Sequence, residues 1–317
     1  MTESHVLDEL ALDEPTKDAG IARADEGPHV HDRPIEIFRP DTPTGPFIFA
    51  SPHSGRRYPP EMMSASRLDL LSLRRSEDGF VDEIFADVVA QGSPLLAAQF
   101  PRVYVDVNRE AYELDPRMFA DPLPAHVNTR STRVAGGLGT IARVVTDGEE
   151  IYRRKLTFAE AERRILACYR PYHGALSSLI DETVDEHGCA VLIDCHSMPS
   201  VGGPMDFDAG RNRTDFVLGD RYGASCAPAL SSFVEHTLVA RNYRVMRNNP
   251  YAGGFTTSHY GRPDRGVHAL QIEINRALYM NEADVERGDG IAELRAVMGD
   301  LVEELRQIDT TSLLPRR

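Results

Sequence analysis

Residues 188–199 read GCAVLIDCHSMP, an unbroken apolar run from Ala190 to Ile193 that stops abruptly in Asp194, Cys195, His196 and Ser197. A continuous apolar run of this length fits a strand buried on both faces, the kind found in sheets with helices packed above and below. Side chains alternate along a strand, so Asp194 and His196 share one face and Cys195 takes the other. In open α/β sheets, ligands bind where strands end. A second stretch, FIFASPHSG at 47–55, also runs an apolar strand into a His-Ser pair, His53 and Ser54. Either segment alone fits a strand and a turn with a merely hydrogen-bonded histidine. Two strand-end histidines together admit a metal site.

The chain has 317 residues, enough for one large α/β domain or two small ones, and its 41% hydrophobic content is ordinary for a globular protein. Its formal net charge of -14 argues against a nucleic-acid or anionic-membrane partner, which would be repelled. Cys168, Cys189, Cys195 and Cys226 are spaced too irregularly for a disulfide framework or a CxxC knuckle, so reduced thiols in a cytoplasmic protein are expected. No apolar run approaches the roughly 20 residues of a membrane span, and the N-terminus lacks the pattern of a secretory signal. Residues 1–33 are rich in Asp and Glu and are expected to form a flexible acidic tail. A single catalytic domain is expected over 34–317.

Further along, SEDGFVDEIFADVVAQG at 76–92 has apolar residues at helical spacing, with Glu77 and Asp78 at its start and Gly92 at its end. Acidic residues there suit either the helix dipole or a metal. RVYVDVNRE alternates Val103, Val105 and Val107 with polar neighbours, predicting a strand that delivers Asn108 and Arg109 at its end. The stretch 158–187 is helical in pattern with Pro171 interrupting, and a C-terminal helix is expected near 292–308. In HALQIEIN, alternation places Leu270 and Ile272 on one face and Gln271 and Glu273 on the other. A carboxylate facing a core strand is costly unless paired, which supports a role over accident, and Glu273 is the best candidate for a general base that is not itself a metal ligand.

The ordered series SPHSG, SED with FVDEIF, YVDVNR, GLGTIAR, IDCHSMP, NNPYAGG and LQIEINRALYM, spanning roughly 45–282, resembles the N-formylglutamate amidohydrolase family. That family is similar in fold to zinc carboxypeptidases and aspartoacylases. The resemblance implies an α/β fold of the phosphorylase/hydrolase-like kind, three-layer α/β/α with a mixed central sheet. It implies zinc held by His53, His196 and a carboxylate, Asp78 in preference to Glu77. The carboxypeptidase relatives place that carboxylate in a compact HxxE, whereas HSGR here has Arg56 at that place. Glu273 matches the relatives' catalytic glutamate, and Asn108 with Arg109 their Asn-Arg pair. Arg109 is expected to act in catalysis as well as binding, with Arg143, Tyr251 and Arg262 as further contacts to the substrate. The implied activity is hydrolysis of N-formyl-L-glutamate, a small N-acyl amino acid, to formate and glutamate, with histidine catabolism as the implied setting. The alternatives are a related deacylase of different acyl specificity and a non-catalytic binding protein on the same fold.

Overall fold

The computed structural model describes residues 30–204 and 206–315. Most of the acidic stretch expected to be a tail lies outside the described residues. Packing nonetheless begins before residue 34, because Val30 is buried and His31 Nε2 lies 2.7 Å from the Tyr104 hydroxyl.

Seven strands form one mixed sheet: β1 (Ile35–Phe38), β2 (Phe47–Ser51), β3 (Leu95–Ala98), β4 (Ala190–Met198), β5 (Phe216–Gly219), β6 (Val245–Arg247) and β7 (Val267–Asn275). Their order is β1-β3-β2-β4-β7-β5-β6. The block β3-β2-β4-β7 is parallel, while β1 joins β3 and β5 joins β7 antiparallel. β4 and β7 lie at the centre, which is why their sequences carry the longest apolar patterns.

Alternation along these strands divides the core in two. Ile48, Ala50, Leu96, Leu192 and Ala269 pack with Tyr172, Leu176 and Leu179 of the Arg170–His187 helix. Phe49, Val191, Ile193, Leu270 and Ile272 pack on the other face against the Pro228–Ala240 and Gly290–Leu305 helices. The result is the three-layer α/β/α arrangement expected. Pro171, read as an interruption, is accommodated without a break: a π-helical turn at Ile165–Tyr169 joins Phe158–Arg164 to Arg170–His187.

Two expected elements differ. Residues 103–107 are not a strand: residues 102–104 form a turn whose Tyr104 N–H donates to the Pro101 carbonyl at 2.9 Å. Val103, Val105 and Val107 are all buried there, so their alternation records packing in a turn and not pleating. The helix expected over 76–92 shrinks to Val81–Ile84 and a 3-10 turn at Ala86–Val88. Phe80 sits in the left-handed region at φ 63° and blocks continuation toward the N-terminus, while the Asp78 N–H donates to the His53 carbonyl at 3.1 Å.

His173, on the Arg170–His187 helix, anchors the turn that leads to Asn108. Its Nε2 donates to the Val107 carbonyl at 2.8 Å and its Nδ1 accepts from the Tyr260 hydroxyl at 2.9 Å. Burial holds this imidazole down to about 4, against 6.5 in the open. A base depressed in the folded state stabilises fully above its unfolded pKa and loses that contribution as pH falls toward the folded value. Acidification from pH 6.5 to 4 should therefore destabilise the protein by on the order of 3 kcal/mol through this residue. Melting temperatures across that window, compared with His173→Gln, check it: equal slopes would exclude His173 as the source.

Candidate active site

Because β2, β4 and β7 are adjacent and parallel, their C-terminal ends open on one edge of the sheet. His53 follows the end of β2. His196 lies near the end of β4, in register with Glu273 on β7. Asp78 arrives from the loop pinned to the His53 carbonyl.

These groups meet closely. Asp78 Oδ2 lies 3.0 Å from His196 Nδ1 and 3.3 Å from His53 Nδ1, and all three side chains are buried. Asp78 Oδ1 faces the other way, accepting from Arg276 Nη2 at 3.1 Å with Arg102 Nη1 at 3.7 Å. Behind the histidines stand two more carboxylates: Asp106 Oδ1 is 2.8 Å from His53 Nε2, and Asp194 Oδ2 is 3.0 Å from His196 Nε2. A carboxylate at Nε2 favours the tautomer that keeps the proton there and turns the Nδ1 lone pair forward. His53, Asp78 and His196 thus present two imidazole nitrogens and one carboxylate oxygen, all within 4.8 Å of one another. That donor set fits a divalent cation of the zinc type. Glu77, the alternative, is turned away, accepting from the Tyr58 hydroxyl at 2.7 Å and Arg74 Nε at 3.4 Å.

The charges respond to this packing. Burial opposes ionisation of Asp78, but its contacts with the His196 and His53 imidazoles and the charge of Arg102 hold its carboxyl well below the usual range. Glu273 is compensated less: burial raises it to about 7 against the opposing pull of His196 and Arg102. Gln271, one position before it on the same face, donates from Nε2 to Glu273 Oε1 at 2.7 Å.

A cavity of about 330 Å³ opens over these groups, and His53, His196, Glu273, Asn108, Arg109 and Tyr251 are in its wall. Two expected substrate contacts, Arg143 and Arg262, are not among its lining residues. Arg143 is held by Asp115 at 2.7 Å and Glu150 at 3.1 Å, and Arg262 donates to the Ser258 and Gly261 carbonyls at the end of the Phe255–Tyr260 helix. Asn108 is occupied as well: its Oδ1 accepts from the Thr256 N–H at 2.8 Å, and its Nδ2 lies 3.2 Å from His196 Nε2. Gly254 packs so closely on this amide that a Cβ there would collide with it.

Arg109 lines the cavity but does not end a strand, and much of its guanidinium is committed. Nε donates to the Leu138 carbonyl at 3.0 Å, Nη1 to the Asn108 carbonyl at 2.7 Å, and Nη2 is 3.6 Å from Asp106 Oδ2. A single ammonium cannot reach three such acceptors. Arg109→Lys should therefore cost roughly 1–3 kcal/mol of stability, read as a lower melting temperature. An unchanged melting temperature with severely impaired turnover would instead favour a direct grip on substrate.

Arg102, Asp106 and Arg276 were not singled out from the sequence as site residues. Arg102 and Asp106 sit in the segment mistaken for a strand, where alternation hid them. Arg276 follows directly after β7 in QIEINR, and a cation after a strand-end carboxylate was the available signal.

The sequence model of the N-formylglutamate amidohydrolase family matches residues 45–280. An N-formylglutamate deformylase from Pseudomonas aeruginosa is 32% identical over 265 residues, covering 82% of this chain and 92% of the relative. One from Pseudomonas putida is 29% identical over 245 residues, covering 75% and 83%. The crystal structure of N-formylglutamate amidohydrolase from Ralstonia eutropha JMP134 superposes with a TM-score of 0.80 at 37% identity, covering 86% of this chain and 97% of that one. A gene product from Agrobacterium tumefaciens, 19% identical with a TM-score of 0.60 over 87% of this chain and 97% of its own, shares the fold. With its motifs in order along a sheet of the same architecture, this chain belongs to the N-formylglutamate amidohydrolase family.

Proposed function

We propose that this chain hydrolyses the amide bond of N-formyl-L-glutamate, releasing formate and L-glutamate. The observation that carries the chemistry is Glu273: a buried carboxyl with a proton affinity near neutrality, paired in register with His196 beside the convergent donors. His53 Nδ1, Asp78 Oδ2 and His196 Nδ1 would hold one divalent cation, zinc by donor type. When bound, such a cation polarises the substrate carbonyl and makes water more acidic.

The chain's own groups do the rest. Glu273 takes the proton of the attacking water and returns it to the amine nitrogen as the C–N bond breaks. Asp106 and Asp194 orient the two imidazoles from behind, and Asn108, held by the Thr256 N–H, packs beside His196. The Tyr251 phenol, pushed up to about 12 by burial, stays protonated and can donate a hydrogen bond in the cavity. Zinc as the cation, the cytoplasm as compartment and histidine breakdown as setting belong to the same proposal. All four cysteines are free and buried, which supports a reducing compartment. No helix among the described residues is long and apolar enough to cross a membrane.

Formate release from N-formylglutamate, measured beside N-acetylglutamate and other N-acyl amino acids, tests the reading. Preference for the formyl substrate is expected. Faster cleavage of another acyl group would assign the chain a different specificity.

A further inference from the structure

Five arginines line the cavity of this strongly acidic protein: Arg102, Arg109, Arg133, Arg221 and Arg276. Three are already matched to carboxylates. Arg102 Nη2 lies 2.9 Å from Asp106 Oδ2, Arg276 Nη2 lies 3.1 Å from Asp78 Oδ1, and Arg109 faces Asp106 at 3.6 Å with its other donors on carbonyls. Arg133 and Arg221 differ. Among the described residues neither forms an ion pair; the Arg133 guanidinium makes no hydrogen bond, and that of Arg221 makes one, from Nη1 to the Gly253 carbonyl at 3.3 Å.

Their placement is not casual. Arg221 follows β5 in the left-handed region at φ 54°, with Tyr222 beside it at 57°, a conformation that is costly for a non-glycine residue. The turn is held by the Arg221 N–H on the Ala252 carbonyl at 2.8 Å and the Tyr222 N–H on Asn248 Oδ1 at 3.3 Å. Both tethers run to the loop that carries Tyr251, so the strained turn sets Arg221 against that wall. Arg133 belongs to the short Thr132–Ala135 helix, whose Ser131 cap fixes its start, and it faces the like charge of Arg109. Arg109 and Arg133 carry like charge in one cavity wall, and the carboxylates that act on Arg109 are already engaged, Asp106 by Arg102 and Glu113 by the Ser131 hydroxyl, so positive charge is left that an incoming anion would neutralise.

We propose that Arg133 and Arg221 select the dicarboxylic substrate, each receiving one of its two carboxylates. The proposal rests on the N-formylglutamate reading, since that substrate presents two carboxylates and the cavity two cations without an ion pair among the described residues. Arginine suits the task because its fork takes both oxygens of a carboxylate at once.

Arg133→Gln and Arg221→Gln, tested singly, should each weaken binding of glutarate, a dicarboxylate that cannot be hydrolysed, by about 10-fold or more in calorimetry. They should raise the KM for N-formylglutamate correspondingly. N-formylglutamine separates the two sites: the variant that lost the side-chain contact has no further penalty on this substrate relative to wild type, whereas the variant that lost the α-carboxylate contact is penalised on both. Unchanged glutarate affinity in either variant, or identical behaviour of the two variants on both substrates, would overturn the assignment. If wild type releases no formate from N-formylglutamate, the proposed function fails by itself, and glutarate binding still judges the two arginines.

Discussion

Glu273→Gln should lower the turnover of N-formylglutamate by roughly 10²–10⁴, the range for removal of a general acid-base group, while metal content stays at the wild-type level. The substitution keeps size and shape. Its amide oxygen can still accept the 2.7 Å hydrogen bond from Gln271 Nε2, so the wall of the cavity is preserved. What it removes is a proton acceptor. It also removes a liability: an acid raised to about 7 by burial weakens the fold as pH climbs from its unfolded value of 4.5 through that point, because the folded protein must then hold an ionised carboxylate away from water. The metal-free variant should therefore melt at a higher temperature than metal-free wild type at pH 8, with the difference fading toward pH 4.5. Loss of rate together with gain in stability distinguishes a catalytic carboxylate from a structural one. A variant that keeps near wild-type turnover would show that the base is elsewhere.

His196→Ala should remove bound metal and activity together. The substitution deletes one of three donors and also strips Asp194 of the imidazole 3.0 Å from its Oδ2. Asp194 is fully buried and neither of its oxygens meets hydrogen-bond geometry with another group. Breaking a buried charged pair from one side costs about 3–5 kcal/mol, so a lower melting temperature should accompany the metal loss. His196→Ala combined with Asp194→Asn should recover part of that stability but none of the metal. Elemental analysis of the purified variants decides the matter, and full metal occupancy in His196→Ala would remove His196 from the ligand set.

How much of this was legible in the sequence follows from where each residue sits. His53, His196 and Glu273 lie at or near the ends of parallel core strands, where an apolar or alternating run marks the strand and the first polar residues mark its functional end. Asp78 lies in a loop, where residue pattern alone does not separate it from Glu77: the family resemblance prefers it, and the bond from its N–H to the His53 carbonyl accounts for its place beside the histidines. The turn at 102–104 was misread because a period of two is shared by pleated strands and by any short segment packed on one side. β3 was missed because its four residues, LLAA, are too short to show a period. Arg143 and Arg262 lie outside the cavity wall for a different reason: an arginine near a motif gives its charge but not its partner, and Asp115 and the 258–261 carbonyls take these two.

The close approach of Gly254 to Asn108 bears on how this enzyme could be re-engineered. The same loop is pinned a second time, since a Cβ on Gly219 would lie 2.6 Å from the Gly253 nitrogen. Libraries that randomise the whole 250–254 segment would fill with clones whose new side chain pushes Asn108 off His196, and loss of the site would be scored as loss of specificity. A productive library holds Gly219 and Gly254 constant and varies Tyr251 and Ala252, two wall positions of this segment that carry a side chain. Along this loop, two wall residues can change while Asn108 stays beside His196.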